Sequence, residues 1–280
     1  MPKFFVKNDQ VKENKIQIIG QDVEHIKKVL RLDIDDNIKI CNIDTNKNYI
    51  CGISKINETS IECTIFKEIQ ETSESNVHIN VFQGLPKYDK MELIIQKSVE
   101  LGANEITPVE MKRCVVKLNE KDKTKKIERW QKISESAAKQ SGRDTIPKIN
   151  NVINISKICE LLPQYDAVLV AYENEKENTL KNELQKLKIK FNESKQNKLK
   201  QDDLKLNGKI TNDSNFKNAI NENNKIKIGI VIGPEGGLEP KDVETLQQNG
   251  CKVITLGKRI LRTETVALNM ISIIMYELES

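Results

Sequence analysis

From residue 77 to the end of the chain, runs rich in valine and isoleucine alternate with segments of helical period. This alternation restricts that part of the molecule to one class of fold. Residues 77–82, 106–109, 167–171, 228–232 and 253–256 read as buried strands, and 89–101, 125–141, 240–249 and 264–278 as helices. In the first helix Asp89 and Glu92 have the spacing of a capping box, and Gly102 stands where a helix stops. In the second, Ile127, Trp130, Ile133 and Ala137 share one face and Gly142 follows, so Trp130 is expected in the core rather than stacked on a ligand. Strands alternating with helices predict a mainly parallel α/β sheet covered on both faces.

The first 70 residues follow a different pattern. Short β-type runs at 4–6, 15–19, 38–42, 49–54 and 60–66 are separated by turns rich in Asn and Asp, which predicts a small β-rich domain. One helix is expected over 22–30, with Val23, Ile26, Val29 and Leu30 as its apolar face. The polar stretch 71–76 reads as a linker, which gives a division into residues 1–72 and 73–280. Within the second part, 23 of the 50 residues from 176 to 225 are Lys or Asn, with one Gly and no Pro. That composition predicts a flexible insertion with a frayed surface helix over 180–191, because it cannot bury enough apolar surface to offset the entropy of ordering.

Composition narrows the chemistry. The six cysteines are scattered without a C-x-x-C pair and there are only two histidines, so neither a zinc site nor a disulfide framework is expected and no metal is assigned. The start, Met1-Pro2-Lys3-Phe4-Phe5-Val6-Lys7, lacks the apolar core and cleavage site of a secretory signal, and no run of 18 apolar residues occurs; the expectation is a cytoplasmic chain without a membrane span. The net charge of +4 says little about partners, but residues 111–132 hold nine basic against three acidic residues, a local net of +6. Such a run is either a solvated face or a track for phosphates, with Arg113 and Lys117 the candidate contacts.

Two segments carry a sharper signal. The strand Ile230-Val231-Ile232 runs into Gly233-Pro234-Glu235-Gly236-Gly237-Leu238 and then a helix begun by Pro240, which puts a glycine-rich loop at the end of a parallel strand, where ligands bind. The spacing is neither G-x-G-x-x-G nor a phosphate-binding G-x-x-x-x-G-K-[ST], so nucleotide readings lose their specific support. The second segment, Leu256-Gly257-Lys258-Arg259-Ile260-Leu261-Arg262-Thr263-Glu264-Thr265-Val266-Ala267-Leu268, again joins a strand to a helix through a polar loop. A purely structural reading stands beside the functional one: a tight βα turn in the first segment, and in the second Thr263 capping the last helix, Glu264 favouring its dipole and the arginines solvated.

With these motifs together the chain resembles the ribosomal RNA small subunit methyltransferase E family, the uridine-N3 methyltransferases of the SPOUT superfamily. The likeness extends to Gln83-Gly84-Leu85-Pro86-Lys87, to Lys97-Ser98-Val99-Glu100-Leu101-Gly102, to Ala138-Lys139-Gln140-Ser141-Gly142-Arg143, and to the run from His25 to Arg31. It covers essentially everything except 176–225; Asp35-Asp36 stands where a Gly-Asp turn is usual. The resemblance implies a PUA-like β-barrel that binds RNA, followed by an α/β domain whose last segments form a deep trefoil knot, in a homodimer. It implies S-adenosylmethionine held by Ile232, Gly233, Pro234, Glu235, Gly236 and Gly237, by Leu256, Gly257, Ile260, Leu261 and Thr263, and by a strand end at Leu169 and Tyr172.

The implied substrate is 16S rRNA, expected in the assembled 30S subunit. Uridine N3 carries a proton, so its loss needs a base or a cation that steadies the anion. Arg262 is the expected cation, with Glu264 orienting it or taking the proton. Arg143 is expected either to hold phosphate or to complete the site across the dimer, or else to be a plain surface arginine. Lys7 and Arg31 are further RNA candidates, while His25 reads as structural. Two rival functions remain: a knotted ribose 2′-O-methyltransferase that shares the cofactor loops, and a non-catalytic RNA-binding scaffold.

Overall fold

The computed structural model describes residues 1–70, 72–206 and 225–279. Its backbone divides into two compact units, Met1–Glu74 with Ser134–Pro147, and Ser75–Ile133 with Lys148–Ser280.

The first unit is built on β1 (Lys3–Val6), β2 (Val11–Lys12), β3 (Lys15–Ile19), β4 (Asn37–Asn42), β5 (Lys47–Ile56) and β6 (Ser60–Ile69), hydrogen-bonded in the order β1-β4-β5-β6-β3-β2. Only β1 and β4 run parallel. The period of two is plain in β3, where Ile16 and Ile18 are buried and Lys15, Gln17 and Ile19 are exposed. With Phe4, Ile38, Ile40 and Ile61 they form one core. The helix expected over 22–30 is instead a single turn, α1 (Gln21–Glu24), that widens into a π turn at His25–Leu30. Widening shifts the phase of the apolar face, so Val23 and Ile26 are buried while Val29 is 66% exposed. His25 packs edge-on against Phe4. At the unusual Asp35-Asp36 turn, Asp35 takes a left-handed φ of 71°, a conformation glycine adopts without steric cost.

Residues 72–74, read as part of a linker, are fastened rather than free. Glu74 pairs with Arg143 at 2.6 Å and accepts the amide of Asp144 at 2.8 Å. Asp144 in turn accepts from the Ser73 amide at 2.6 Å and the Thr72 hydroxyl at 2.8 Å, and pairs with Lys3. Lys139 pairs with Asp22 at 2.8 Å. These ion pairs are why residues 134–147 belong with the first unit, although the sequence division at 72–73 left them in the second part.

The second unit contains β7 (Val77–Gly84), α2 (Lys90–Glu100), β8 (Glu105–Glu110), the first part of α3 (Glu120–Ser141), β9 (Lys148–Ile149), β10 (Ile153–Asn154), α4 (Ile155–Leu161), β11 (Ala167–Ala171), α5 (Leu180–Leu206), β12 (Ile226–Ile232), α6 (Pro240–Gln248), β13 (Lys252–Ile254) and α7 (Thr263–Leu278). All seven strands are parallel, in the order β10-β8-β7-β12-β11-β13 with β9 beside β8, as the alternating pattern predicted. α7 packs on α2, β7 and β12, and its Ala267, Met270, Ile271 and Ile274 are buried. Trp130 is buried in α3, as expected.

The helix expected over 180–191 is longer, and its first turn is anchored: Leu180 and Leu184 are buried, Thr179 bridges to Thr255, and the helix continues to Leu206. The remainder of the expected insertion, 207–224, lies outside the described residues.

Candidate functional site

Because β7, β11, β12 and β13 run parallel, the segments that leave their C-terminal ends emerge on one edge of the sheet. There they enclose a cleft of about 500 Å³, walled by the glycine-rich loop after β12, the turn after β11 and the loop between β13 and α7.

The glycine loop is shaped by close approach. Gly237 has φ of 70° and its amide donates to the Pro234 carbonyl at 2.9 Å, closing a tight turn that side chains disfavour. A Cβ at Gly233 would lie 2.8 Å from the Gly237 carbonyl carbon. The loop is braced on either side: Arg113 donates to the Gly236 carbonyl at 3.0 Å, and the Lys87 amide donates to the Glu235 carboxylate at 3.0 Å.

The second loop is fixed to the first by a buried relay. Gln83 Nε2 donates to Thr263 Oγ1 at 2.8 Å, and Thr263 Oγ1 donates to the Gly233 carbonyl at 2.7 Å. Thr263 is therefore the first residue of α7 and a cross-loop tie, not a cap; Arg262 occupies the capping position without a side-chain bond. Leu256 and Leu261 are partly buried against the cleft, while Lys258, Arg259, Ile260 and Arg262 are exposed at its mouth.

Lys90, the first residue of α2, reaches two carboxylates, Glu235 at 3.2 Å and Glu264 at 3.3 Å. Burial would raise the Glu235 carboxyl, but its own amide, the Lys87 amide and the Lys90 ammonium hold it below the usual range. Burial would lower Lys90, but the two carboxylates outweigh it and hold the ammonium above its ordinary value.

Of the residues expected to hold a ligand, Tyr172, Ile232, Gly233, Pro234, Glu235, Gly236, Gly237, Leu256, Gly257, Ile260, Leu261 and Thr263 line the cleft, and so does Arg262. Others are placed elsewhere. Leu169 is buried in mid-strand between β12 and β13, and Ala171 and Glu173 line the cleft beside Tyr172 instead. Glu264 does not line the cleft or pair with Arg262; α2 packs on α7 and brings Lys90 to its carboxylate. Arg143, expected at a catalytic or RNA-contacting position, is buried in the first unit against Glu74. Arg113 braces the glycine loop from outside, Lys117 is exposed after β8, and Lys7 and Arg31 are exposed on the first unit. The basic run is partly compensated, with Lys112 paired to Glu239, Lys123 to Glu110 and Arg129 to Glu92.

Sequence reasoning missed Lys90, Glu173 and Gln83 as site residues. The signal for one of them, Gln83, was present in Gln83-Gly84-Leu85-Pro86-Lys87.

A family model described as an RNA methyltransferase domain matches residues 73–197 and 181–275, and one described as an RNA methyltransferase PUA domain matches 18–66. The chain is 32% identical over 282 residues to ribosomal RNA small subunit methyltransferase E of Bacillus subtilis (strain 168), covering 100% of this chain and 98% of the relative. The protein of the same name from Mesomycoplasma hyopneumoniae (strain 232) is 30% identical, with 97% and 98% covered. Among solved structures, ribosomal RNA small subunit methyltransferase E from Neisseria gonorrhoeae, bound to S-adenosyl methionine, is similar with a TM-score of 0.76 and 26% identity, covering 99% of this chain and 97% of that one.

Proposed function

The chain belongs to the ribosomal RNA small subunit methyltransferase E family, and from that membership and the cleft we propose that it transfers the methyl group of S-adenosylmethionine to N3 of a uridine in 16S rRNA. The observation that carries this reading is the pair of loops tied through Thr263 and Gly233 around a cleft of about 500 Å³. The residues fit the cofactor. The volume lies within the range of small-molecule sites, roughly 300–1,000 Å³. Ile232, Leu256 and Leu261 supply apolar walls, and Gly233, Gly236, Gly237 and Gly257 leave backbone groups open to approach.

When bound, the cofactor supplies an electrophilic methyl carbon on a sulfonium. The chain has to align a nucleophile with it and exclude water. Arg262, exposed at the mouth, steadies the uracil oxygens and the charge that develops when N3 loses its proton. Lys258 and Arg259 beside it offer positive charge to phosphates, and Lys117 extends that field. Lys7 and Arg31 serve the same end on the first unit, which we read as a PUA-like β-barrel that holds RNA.

The finer architecture belongs to the same proposal. The second unit is read as a SPOUT domain with a deep trefoil knot; the tie from Thr263 to Gly233 supports this, since it brings the chain leaving β13 back across the loop leaving β12. A homodimer is supported by Tyr276 and Leu93, large apolar side chains exposed on the mutually packed α7 and α2. The substrate is read as the assembled 30S subunit, which places the reaction in the cytoplasm.

The test is to incubate the protein with labelled S-adenosylmethionine and small subunits from a strain lacking the equivalent enzyme, then digest the rRNA and identify the labelled nucleoside by mass spectrometry. 3-Methyluridine is the expected product. A 2′-O-methylated nucleoside would replace base methylation by ribose methylation. No label, together with no cofactor binding, would leave an RNA-binding scaffold.

A further inference from the structure

We propose that Lys90 is a positioning residue of the cleft, a single ammonium that holds the carboxylates of Glu235 in the glycine loop and Glu264 at the start of α7 and so keeps both loops in the geometry that receives the sulfonium cofactor. The inference rests on the function proposed above.

Three observations carry it. Lys90 lines the cleft, yet it comes from α2, an element that contributes neither loop. Its Nζ lies 3.2 Å from Glu235 Oε1 and 3.3 Å from Glu264 Oε2, with side chains 30%, 26% and 16% exposed respectively, so these charges are largely withdrawn from solvent. Glu264 Oε2 is buried and accepts no hydrogen bond among the described residues, which leaves the Lys90 ammonium as its counter-charge. The segment from Lys87 to Lys90 thus grips the glycine loop twice, by the Lys87 amide and the Lys90 ammonium, and grips α7 once.

Removal of the ammonium leaves two carboxylates close to one point and one of them buried without a counter-ion. A buried carboxylate without a counter-ion disfavours the arrangement that holds it. The other charged groups on the walls are Arg262, Lys258 and Arg259 on the second loop and Glu173 after β11; Asp89 precedes Lys90 on α2, and the Cys114 thiol feels the Glu235 charge. None of them has an ion pair with Glu264 among the described residues. The Lys90→Met defect therefore depends on the Glu264 charge and is relieved when that charge is removed as well.

The experiment measures binding of S-adenosylmethionine by calorimetry, and thermal midpoint, for the wild type, Lys90→Met, Lys90→Arg and the double variant Lys90→Met with Glu264→Gln. Wild-type binding comes first, and its absence would defeat the functional reading rather than the role of Lys90. Expected are an affinity for Lys90→Met about tenfold weaker than wild type, because a buried charge has lost its partner, and near wild-type binding for Lys90→Arg. The double variant should come within about threefold of wild type, since both charges are gone. If Lys90→Met does not fold, recovery of folded, binding-competent protein in the double variant supports the proposal equally. Lys90→Met binding like wild type, or a double variant no better than the single one, would each overturn it.

Discussion

Gly233 and Gly236 stand three residues apart in one loop, yet they tolerate change differently. A methyl group on Gly233 meets backbone, at 2.8 Å from the Gly237 carbonyl carbon, so the loop itself must move. On Gly236 the nearest atoms are Arg113 Cβ at 3.2 Å and the Arg113 carbonyl oxygen at 3.3 Å, contacts that a shift of a few tenths of an ångström relieves. Calorimetry should therefore find cofactor binding abolished in Gly233→Ala and weakened only a fewfold in Gly236→Ala; the reverse order would mean that the loop is shaped by something other than this contact. Arg262 is the other residue whose role is open to direct test. It lines the cleft but has no ion pair among the described residues, so its charge is available to a substrate rather than used in the fold. Arg262→Ala should lower the single-turnover rate by roughly a hundredfold, the scale for loss of a group that stabilises developing charge, while cofactor affinity changes little.

At the level of elements, the C-terminal end of α3 and the segment after it are held to the strands of the first unit by charge. Burial would raise the carboxyls of Glu74 and Asp144, but the Arg143 guanidinium and backbone amides for the first, and Lys3, the Ser73 amide and the Thr72 hydroxyl for the second, hold both below their ordinary values of 4.5 and 3.8. Groups with depressed folded-state pKa values contribute stability that is present above the unfolded values and lost as the pH falls through the folded ones. Urea unfolding followed by hydrogen exchange should show the first unit near-constant above pH 5 and weakening below about pH 4. Arg143→Met reverses the sign for Glu74 alone, because the partner charge that kept it ionised is gone while Asp144 keeps its own partners. The variant should lose about 3 kcal/mol at pH 7 and regain part of it on acidification; a parallel loss at all pH values would contradict the assignment.

The same elements show what the sequence could reveal. β11 was legible to the residue because its five positions are apolar on both faces. The start of α3 was read five residues late because Glu120 to Thr124 contribute nothing to an apolar face; the end is set instead by Asn119, whose side chain accepts the Asp122 amide at 2.9 Å. The glycine loop and the loop before α7 announced themselves through their residue types. Lys90 did not, since nothing local distinguishes a lysine that begins a helix, and its two partners lie 145 and 174 positions further along the chain. The ion-pair partner of Glu264 was hidden for the same reason: sequence proximity suggested Arg262, and the packing of α2 on α7 supplied Lys90.

For the whole molecule, the ladder between β7 and β12 matters beyond the site it supports. It joins Val77 to Ile226, so the centre of the sheet pairs residues almost 150 positions apart. Long-range parallel pairing makes folding slow, because the entropy of closing the loop is lost before the contacts form. Until β12 docks, one edge of β7 has unpaired backbone groups flanked by Val77, Ile79 and Val81, an invitation to strands of other molecules. A nascent or refolding chain is thus at its most vulnerable just before it is complete. The yield of cofactor-binding protein after dilution from denaturant should fall steeply as protein concentration rises, and added chaperone should restore it.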